Sequence, residues 1–460
     1  MIAQSIAKNV LQAALSTGGD FAELFIEHKR TNNLSVINGK LDRAMSGIDY
    51  GLGLRIFNGF GAIYAYTNDL SESSLLRMAA SAAAAIHSDK RLTVLDFTQT
   101  RPTNLHPVAI PFAGVAKNDV IDLLKQAGKV SHAVSENITQ TSGTYLDALQ
   151  DICVINSEGL WVEDTRAHTR VMLSAVAGNE LEKQTGTQSP GAHAGYEFIQ
   201  GLDTTHLAQE SARIALTMLD AGYAPAGKMP VIINKGFGGV LFHEACGHSL
   251  EATAIAKGAS EFTGKKGQQI ASTVVTAIDD ATLPNHWGSA NIDDEGTPTQ
   301  RNVLIKDGIL NTYLVDRLNG LKMGEPSTGS SRRQSYKFAP TSRMSNTFIQ
   351  AGESTEAEII ANTEYGLYCA TMGGGSVMPT TGDYNFGVNE AYMIRGGKIA
   401  EPVRGASLIG RGSETLMAID MVGNHETQGQ GMCGSVSGSI PANCGQPMIR
   451  VKEMIVGGRN

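Results

Sequence analysis

The chain has 460 residues, of which 42% are hydrophobic and 18% charged, and its formal net charge at pH 7 is −8. This length exceeds that of one hydrophobic core, so at least two domains are expected. The acidic balance and the lack of a basic stripe give no support for nucleic-acid binding. Because the sequence has neither a signal-peptide pattern nor 18 consecutive apolar residues, we expect a cytoplasmic protein without a membrane span. The five cysteines lack the tight spacing of a disulfide framework.

The first half of the sequence combines helical and strand patterns. Helical periodicity marks residues 3–15, 71–87, 119–134 and 204–219. Strand patterns cover residues 21–28, two hairpins at 32–45 and 50–66 with Asn-Gly turns, and two long segments at 140–156 and 159–176. We therefore predict an α+β domain over residues 1–225, in which an antiparallel sheet carries helices on one side. The turn-rich stretch 222–228 marks its end.

The second half is rich in short strand patterns separated by glycine turns. A strand at 229–234 precedes one helix-forming segment, and helix signals are scarce after residue 272. Further strand candidates are 303–305, 309–314, 347–350, 365–371, 384–394, 398–403, 418–422 and 447–455. Such a series predicts a β-rich domain over residues 226–460, built as a curved, barrel-like antiparallel sheet that carries the helix.

That helix-forming segment contains the strongest candidate site, formed by His243, Glu244 and His248. Titratable groups are rarely buried in an apolar segment without a partner, and a metal ion is the obvious partner. The histidines are five positions apart, which turns them about 140° from each other on a regular α-helix. A π-bulge, or a helix that ends near Gly247, would return both imidazoles to one side. The alternative is two unrelated histidines near a helix end.

Residue types alone do not identify the third protein ligand of the metal. A catalytic zinc usually has three protein ligands and one position for water. Candidates are Cys433 between glycines, Cys444, Cys246 inside the motif, Glu251 and His425. A free buried cysteine is more often a small hydrophobic residue than a ligand, so Cys153 and Cys369 are expected to be structural.

The sequence around this motif resembles a known family. Residues 242–251 read Phe-His-Glu-Ala-Cys-Gly-His-Ser-Leu-Glu, which is similar to the H-E-x-x-x-H signature of the TldD/PmbA metallopeptidases. Further blocks follow in the family's order at 293–298, 327–336, 343–347, 402–410 and 431–434 (Gly-Met-Cys-Gly). The resemblance covers most of the second half, and the first half matches more loosely. Cys246 departs from the pattern, which has a small aliphatic residue there.

The resemblance implies a zinc site and a fold. It implies that His243, His248 and Cys433 bind zinc and that Glu244 is the catalytic base, within an α+β N-terminal domain followed by a β-rich C-terminal domain. Side chains fan around a helix axis, which also favours the distant Cys433 over Cys246. Thiolate and imidazole ligands accept both zinc and iron, so iron is a second possibility for the metal.

The resemblance also implies a reaction and a partner. Family members hydrolyse short or unfolded peptides, carry the historical label of modulators of DNA gyrase, and pair a TldD-type chain with a PmbA-type (TldE) chain that lacks the motif. This chain keeps the motif, so a PmbA/TldE-type subunit is its expected partner, with a homodimer as the alternative.

Arg332, Arg333 and Arg343 are candidates to bind a substrate carboxylate or an oxyanion, unless they only pair with the acidic run 293–295.

Two other functions are compatible with the same residues. A metal amidase or deformylase can use two histidines and a cysteine around a hydrolytic metal. A regulatory protein could hold the metal as a structural element, with four protein ligands and no turnover.

Overall fold

The computed structural model of the protein describes residues 2–88, 90–378 and 380–459. The helices of the first half are α1 (Gln4–Ala14), α2 (Glu72–Ala83), α3 (Lys117–Val134), α4 (Glu197–Gln200) and α5 (Thr204–Asp220). Its strands are β1 (Phe21–Ile37), β2 (Lys40–Asn58), β3 (Gly61–Thr67), β4 (Thr98–Thr100), β5 (Ile138–Asn156), β6 (Leu160–Gly178), β7 (Lys183–Gln188) and β8 (Gly191–Ala192).

These strands form one sheet, in the order β3-β2-β1-β5-β6-β4, with β7 and β8 also paired to β6. Strand β1 runs antiparallel to both β2 and β5 over most of its length. The turn between β1 and β2 places Asn38 and Gly39 at φ values of 48° and 72°, which these two residue types tolerate best. Long antiparallel strands joined by such turns form a rigid sheet.

The two faces of this sheet have different neighbours. Leu24 and Leu34 of β1 point to one face, where α1 and α2 cover the first and α3 covers the second. On the opposite face, Phe25 packs against Ile292 and Tyr336 from the second half of the chain. The helices therefore lie on one side of the sheet, and the other side is the contact surface for the second half.

One sequence prediction for this sheet is wrong in detail. The strand pattern at 21–28 and the two hairpins at 32–45 and 50–66 are parts of the 17-residue strand β1, the 19-residue strand β2 and the shorter β3. The polar positions 29–31 interrupt the apolar alternation, but β1 has a partner strand on each side. Its backbone hydrogen bonds therefore continue through these positions whatever the side chains are.

The second half contains most of the strands. They are β9 (Gly222–Tyr223), β10 (Gly227–Ile233), β11 (Ala277–Asp280), β12 (Arg301–Lys306), β13 (Ile309–Leu310), β14 (Ser331–Arg332), β15 (Thr341–Ser342), β16 (Asn346–Ile349), β17 (Tyr365–Met378), β18 (Asp383–Arg395), β19 (Lys398–Arg404), β20 (Ser407–Arg411), β21 (Ile419–Val422), β22 (Thr427–Ser435), β23 (Gly438–Gln446) and β24 (Ile449–Gly457). Its helices are α6 (Val240–Ala245), α7 (Ala252–Ile255), α8 (Arg317–Met323), α9 (Glu356–Ala361) and α10 (Gly412–Ala418).

Five of these strands close into a barrel. The pairing order is β17-β10-β24-β20-β18, and β18 pairs back to β17. A third sheet has the order β13-β12-β11-β16-β23-β22, which leaves β22 at its edge. Helix α6 contacts β17 and β18 of the barrel and β16 and β23 of the third sheet. The predicted α+β fold with a barrel-like second half is confirmed, whereas the domain limits at residues 225 and 226 stay a prediction.

The sequence patterns did not predict some helices and strands of the second half. Strands β22 and β23 are rich in glycine, glutamine and asparagine, so they lack the apolar alternation that marks a strand. Helices α8, α9 and α10 lie in the region where the sequence has few helix signals, although α9 has a full capping box between Thr355 and Glu358. Over the described residues, no helix combines the length and hydropathy needed to cross a membrane.

Candidate metal centre

The motif segment is an interrupted helix. Helix α6 ends at Ala245, Cys246 leaves helical geometry at φ −131° and ψ −48°, and a 3-10 turn follows over Gly247–Leu250. Of the two routes expected for the five-residue spacing, the chain uses the early helix end. A Cβ atom at Gly247 would lie 2.2 Å from the Met344 sulfur atom, so a larger residue at the break would require the Met344 side chain to move.

The break brings both histidines to one thiol. The Sγ atom of Cys433 lies 3.2 Å from Nε2 of His243 and 3.3 Å from Nε2 of His248. In a tetrahedral zinc site with ordinary Zn–N and Zn–S bonds, nitrogen and sulfur ligands are about 3.6 Å apart. These three residues are the one group of metal-ligating side chains found in the described part of the chain, with ligand atoms within 4.8 Å of one another. The donor set and its spacing fit a metal ion.

The three side chains stabilise one another's charged forms. Burial by itself would raise the pKa of the Cys433 thiol, but the neighbouring His243 and His248 outweigh it and lower this pKa to about 3. Burial would lower the pKa of His248, and the Glu251 carboxylate together with Cys433 raises it to about 10. Cys433 is therefore a thiolate at neutral pH, which is the form that binds metals.

A carboxylate orients one of the histidines. Oε1 of Glu251 accepts a hydrogen bond from Nδ1 of His248 at 3.1 Å, which leaves Nε2 facing Cys433. Metal-binding histidines usually donate their second nitrogen to such an acceptor. Nδ1 of His243 is buried and has no hydrogen-bond partner among the described residues. Glu251, considered above as a ligand, thus supports His248 instead.

Glu244 lies at the border between the site and solvent. Its carboxylate oxygen Oε2 is 3.7 Å from Nε2 of His248, and its side chain is 24% exposed. Glu244 and His248 line a cleft of ≈590 Å³, together with Lys257 and residues of β17 and β22 such as Gly375 and Gly434. A group bound in this cleft reaches both the carboxylate and the imidazole.

The remaining ligand candidates lie elsewhere or have other neighbours. Cys246 is fully buried, and burial raises its pKa well above the ordinary thiol value. His425 Nδ1 is 3.2 Å from the Lys235 ammonium group. Cys444 is buried near His243. Cys433 remains the thiol that contacts both histidines.

The guanidinium group of Arg343 is fully buried beneath the metal-binding residues. Its Nη2 atom donates to the carbonyl oxygen of Cys433 at 2.5 Å, and Nη1 donates to Oγ of Ser437 at 2.8 Å and to the carbonyl oxygen of Gly438 at 3.0 Å. Nε lies 3.9 Å from Oε1 of Glu251. The substrate contact predicted for Arg343 stays a prediction, while these bonds connect the Cys433 hairpin to the carboxylate that orients His248.

The other two candidate arginines lie at the contact between the two halves. Arg333 donates to Oε1 of Glu23 at 2.8 Å, and Arg332 donates to the carbonyl oxygen of Met344 at 2.7 Å. Two carboxylates of the acidic run 293–295 pair with arginines that the sequence did not single out. Arg55 contacts Glu295 at 2.5 Å, and Arg166 contacts Asp294 at 2.7 Å. Their wide sequence separation gave no local signal.

A buried His-His-Cys group beside a carboxylate, at the mouth of a cleft in a β-rich domain, defines a metal-dependent hydrolase. Comparison with known proteins names the family. Residues 226–458 match the PmbA/TldA metallopeptidase C-terminal domain, residues 22–86 match its domain 1, and residues 110–219 match its central domain. The chain belongs to this PmbA/TldD family of metallopeptidases.

Known metalloproteases are similar to this chain over nearly its whole length. A metalloprotease TldD homolog from Haemophilus influenzae is 35% identical, over 96% of this chain and 93% of that protein. A metalloprotease from Methanothermobacter thermautotrophicus is 31% identical, over 95% and 96% of the two chains. The protein is therefore a peptide-bond hydrolase that uses a metal cofactor.

Solved structures share the fold. A Thermotoga maritima protein crystallised under the name of a DNA gyrase modulator has a TM-score of 0.81 at 19% identity, covering 99% of this chain and 100% of the other. TldE from Thermococcus kodakarensis has a TM-score of 0.77 at 18% identity, covering 98% and 100%.

Proposed function

We propose that this metallopeptidase uses zinc, held by His243, His248 and Cys433, to hydrolyse short or unfolded peptides. The observation that carries the proposal is the contact of one buried thiol with two imidazoles beside the partly exposed carboxylate of Glu244. Zinc bound there would supply a water molecule of lowered pKa and polarise the scissile carbonyl group. Iron fits the same donors, so zinc is the first choice and not the sole one.

Glu244 is the proposed general base. Its carboxylate is close to the ligands without sharing the Cys433 contact, and it faces the cleft where a substrate would enter. In this role it accepts a proton from the attacking water and delivers it to the leaving amine. His248 is held by Glu251, so the neighbouring imidazole stays in place during that transfer.

The cleft favours extended substrates. Strand β22 carries Cys433 at the free edge of the third sheet, and Gly434 and Ser435 at its end line the cleft opposite residues 375–377 of β17. A peptide can bind such an edge through its backbone as an added strand. A folded protein cannot offer a free strand of this kind, which is why short or unfolded peptides are the proposed substrates.

We also propose a PmbA/TldE-type chain as the partner, with a homodimer as the alternative. The motif is complete in this chain, as in the TldD type, and its fold matches the TldE structure over nearly the whole length. Peptide turnover by the chain alone and with such a partner, measured at matched concentrations, tests this assembly. Full activity of the chain alone would remove the requirement for the second type of chain.

Replacement of the base tests the reaction. Glu244→Gln should retain zinc and lose turnover of an unstructured peptide by about 10²–10⁴-fold, because the amide cannot accept the proton. Glu364→Gln is the control, since Glu364 is an exposed glutamate away from the cleft. Near-normal turnover by zinc-loaded Glu244→Gln would refute the assignment. Hydrolysis of formylated amines but no internal peptide bonds would favour the amidase alternative instead.

A further inference from the structure

A second cavity, of ≈290 Å³, lies between the first sheet and the β22–β23 hairpin. Met432 and Pro441 are paired across this hairpin and both line the cavity. Cys433 follows Met432 in the strand, and successive side chains of a strand point to opposite faces. The cavity shares no lining residue with the metal cleft and is separate from it.

Positive charge dominates the lining of this cavity. The charged side chains are those of Lys29, Arg166, Arg170, Arg332, Arg333 and Asp294. Asp294 is paired with Arg166 at 2.7 Å, and Arg333 is paired with Glu23 at 2.8 Å. Within the described residues, Lys29, Arg170 and Arg332 have no carboxylate oxygen within 4.0 Å. Three cations thus share one cavity without an ion-pair partner.

Among the described residues, the hydrogen-bond partners of the two arginines of this set are neutral groups. Arg332 donates to the carbonyl oxygen of Met344, and Arg170 donates to Ser189 and weakly to the carbonyl oxygen of Gln430. Burial lowers the pKa of Arg332 to about 10 and also lowers that of Arg170. Asp294 and Asp279 act on Arg332 only from beyond ion-pair distance. A partly buried cation without a counter-ion is costly, and an anionic ligand would relieve that cost.

The rest of the lining is largely apolar. Leu146, Ala148, Trp287 and Met432 contribute to the walls, and the Arg170 guanidinium carbon lies 5.7 Å from the centre of the Trp287 ring. Met432 is 52% exposed, so the cavity opens to solvent at this residue. A ligand that matches these walls has an apolar body and one negative end.

We propose that this cavity binds a small organic carboxylate with an aliphatic or aromatic body, no larger than one or two amino acids. Arg332 holds the carboxylate, Arg170 and Lys29 supply further positive charge, and the body packs against Leu146 and Met432. Pockets of this size enclose most of the surface of such a ligand. The site is distinct from the proposed peptidase centre and does not depend on its chemistry.

Calorimetric titration of the zinc-loaded full chain tests the proposal with two probes of nearly equal shape. N-acetylphenylalanine carries the carboxylate, and N-acetylphenylalaninamide replaces it with a neutral amide. The carboxylate should bind about 10-fold or more tightly than the amide, because charge-assisted hydrogen bonds to a guanidinium group are lost in the second probe. Equal binding of both probes, or no saturable binding of the carboxylate at millimolar concentrations, would overturn the proposal.

Variants locate the bound probe. Arg332→Gln should weaken binding of the carboxylate about 10-fold. Lys29→Gln should weaken it by a smaller factor, and it disturbs no hydrogen bond or ion pair that the structure describes for Lys29. Lys257→Gln, in the metal cleft, should leave binding unchanged. Chelation of the metal should also leave it unchanged, whereas loss of binding on chelation would place the probe at the metal and contradict the proposed site.

Discussion

The protein holds two groups of buried histidines that behave in opposite ways. His243 and His248 contact the thiol of Cys433, and their pKa values are raised by anionic neighbours although burial opposes the change. His106 and His168 both stack on His193, with ring centres 4.6 and 4.7 Å apart, and burial is the main cause that lowers their pKa values. Burial is common to both groups, so the anionic partner is what distinguishes them.

This difference gives the first group a set of metal ligands that the second group lacks within the described residues. Each stacked histidine has one nitrogen bonded to a backbone group: Nδ1 of His193 to the carbonyl oxygen of Ser289, Nε2 of His168 to that of Trp287, and Nδ1 of His106 to the N–H of Asn285. No thiolate or carboxylate completes a ligand set there within the described residues. These rings fill the contact between the two halves of the chain. The Nε2 atoms of His243 and His248, in contrast, both point to the sulfur atom of Cys433.

Removal of the thiolate should have the largest effect. Cys433→Ser should weaken zinc binding by about 100-fold or more and abolish peptide turnover, because serine does not ionise to give an equivalent ligand. The measurement is zinc per chain after dialysis against a weak chelator, with turnover on the same samples. Cys246→Ala is the matched control and should keep both, since its thiol is outside the ligand group. Reversed results for the two variants would reverse the assignment.

Loss of the guanidinium group beneath the site should have a smaller effect. Arg343→Gln should weaken zinc binding about 10–100-fold, because groups that position ligands typically contribute this much. Arg343→Lys should not restore it fully, since lysine cannot bond the Cys433 carbonyl oxygen and the turn at Ser437 together. Arg333→Gln removes an equally buried arginine bound to Glu23 and should lower stability without changing zinc affinity. Equal zinc affinities in the Arg343 and Arg333 variants would contradict the positioning role.

The stacked histidines should make stability depend on pH. Burial lowers the pKa of His193 to about 3 and that of His106 to about 4, so both are neutral in the folded chain where the unfolded chain begins to protonate. The free energy of unfolding should therefore fall as the pH drops below about 6.5, by up to about 1.4 kcal/mol per pH unit for each histidine. The stabilisation is complete above the unfolded pKa and is lost towards the folded pKa.

Denaturant unfolding between pH 7 and pH 4.5 measures this slope. In His193→Gln the slope should be shallower by about 1 kcal/mol per pH unit. In His87→Gln, where the histidine is exposed, it should equal that of the unchanged chain. A slope that is the same in all three proteins would show that the stacked group does not resist protonation.

The sequence predicted those features that depend on local pattern. Periodicity located the long helices and the strands β5 and β6. The spacing of His243 and His248 predicted either a π-bulge or an early helix end, and the helix ends before Cys246. The glycine-rich β22 gave no strand signal, because its pairing comes from β23 and not from its own side chains. Even so, the family resemblance pointed to Cys433 in that strand.

The sequence alone could not predict the long-range ion pairs. Glu295 pairs with Arg55 across 240 positions, and Asp294 pairs with Arg166 across 128. These partners lie on the inner face of the first sheet, so their proximity depends on how the two halves pack. Residue types alone could only suggest that the acidic run needs cations. Which arginines supply them follows from the register of β2 and β6.

X-ray absorption at the zinc edge tests the central claim most directly, because it counts the sulfur ligands of the bound metal. For the unchanged chain we predict one sulfur at about 2.3 Å with two imidazole nitrogens at about 2.0 Å. Cys246→Ala should give the same spectrum, and Cys433→Ser should lose the sulfur signal with most of the metal. A sulfur-free spectrum for the unchanged chain, or a sulfur signal that disappears in Cys246→Ala, would contradict the account.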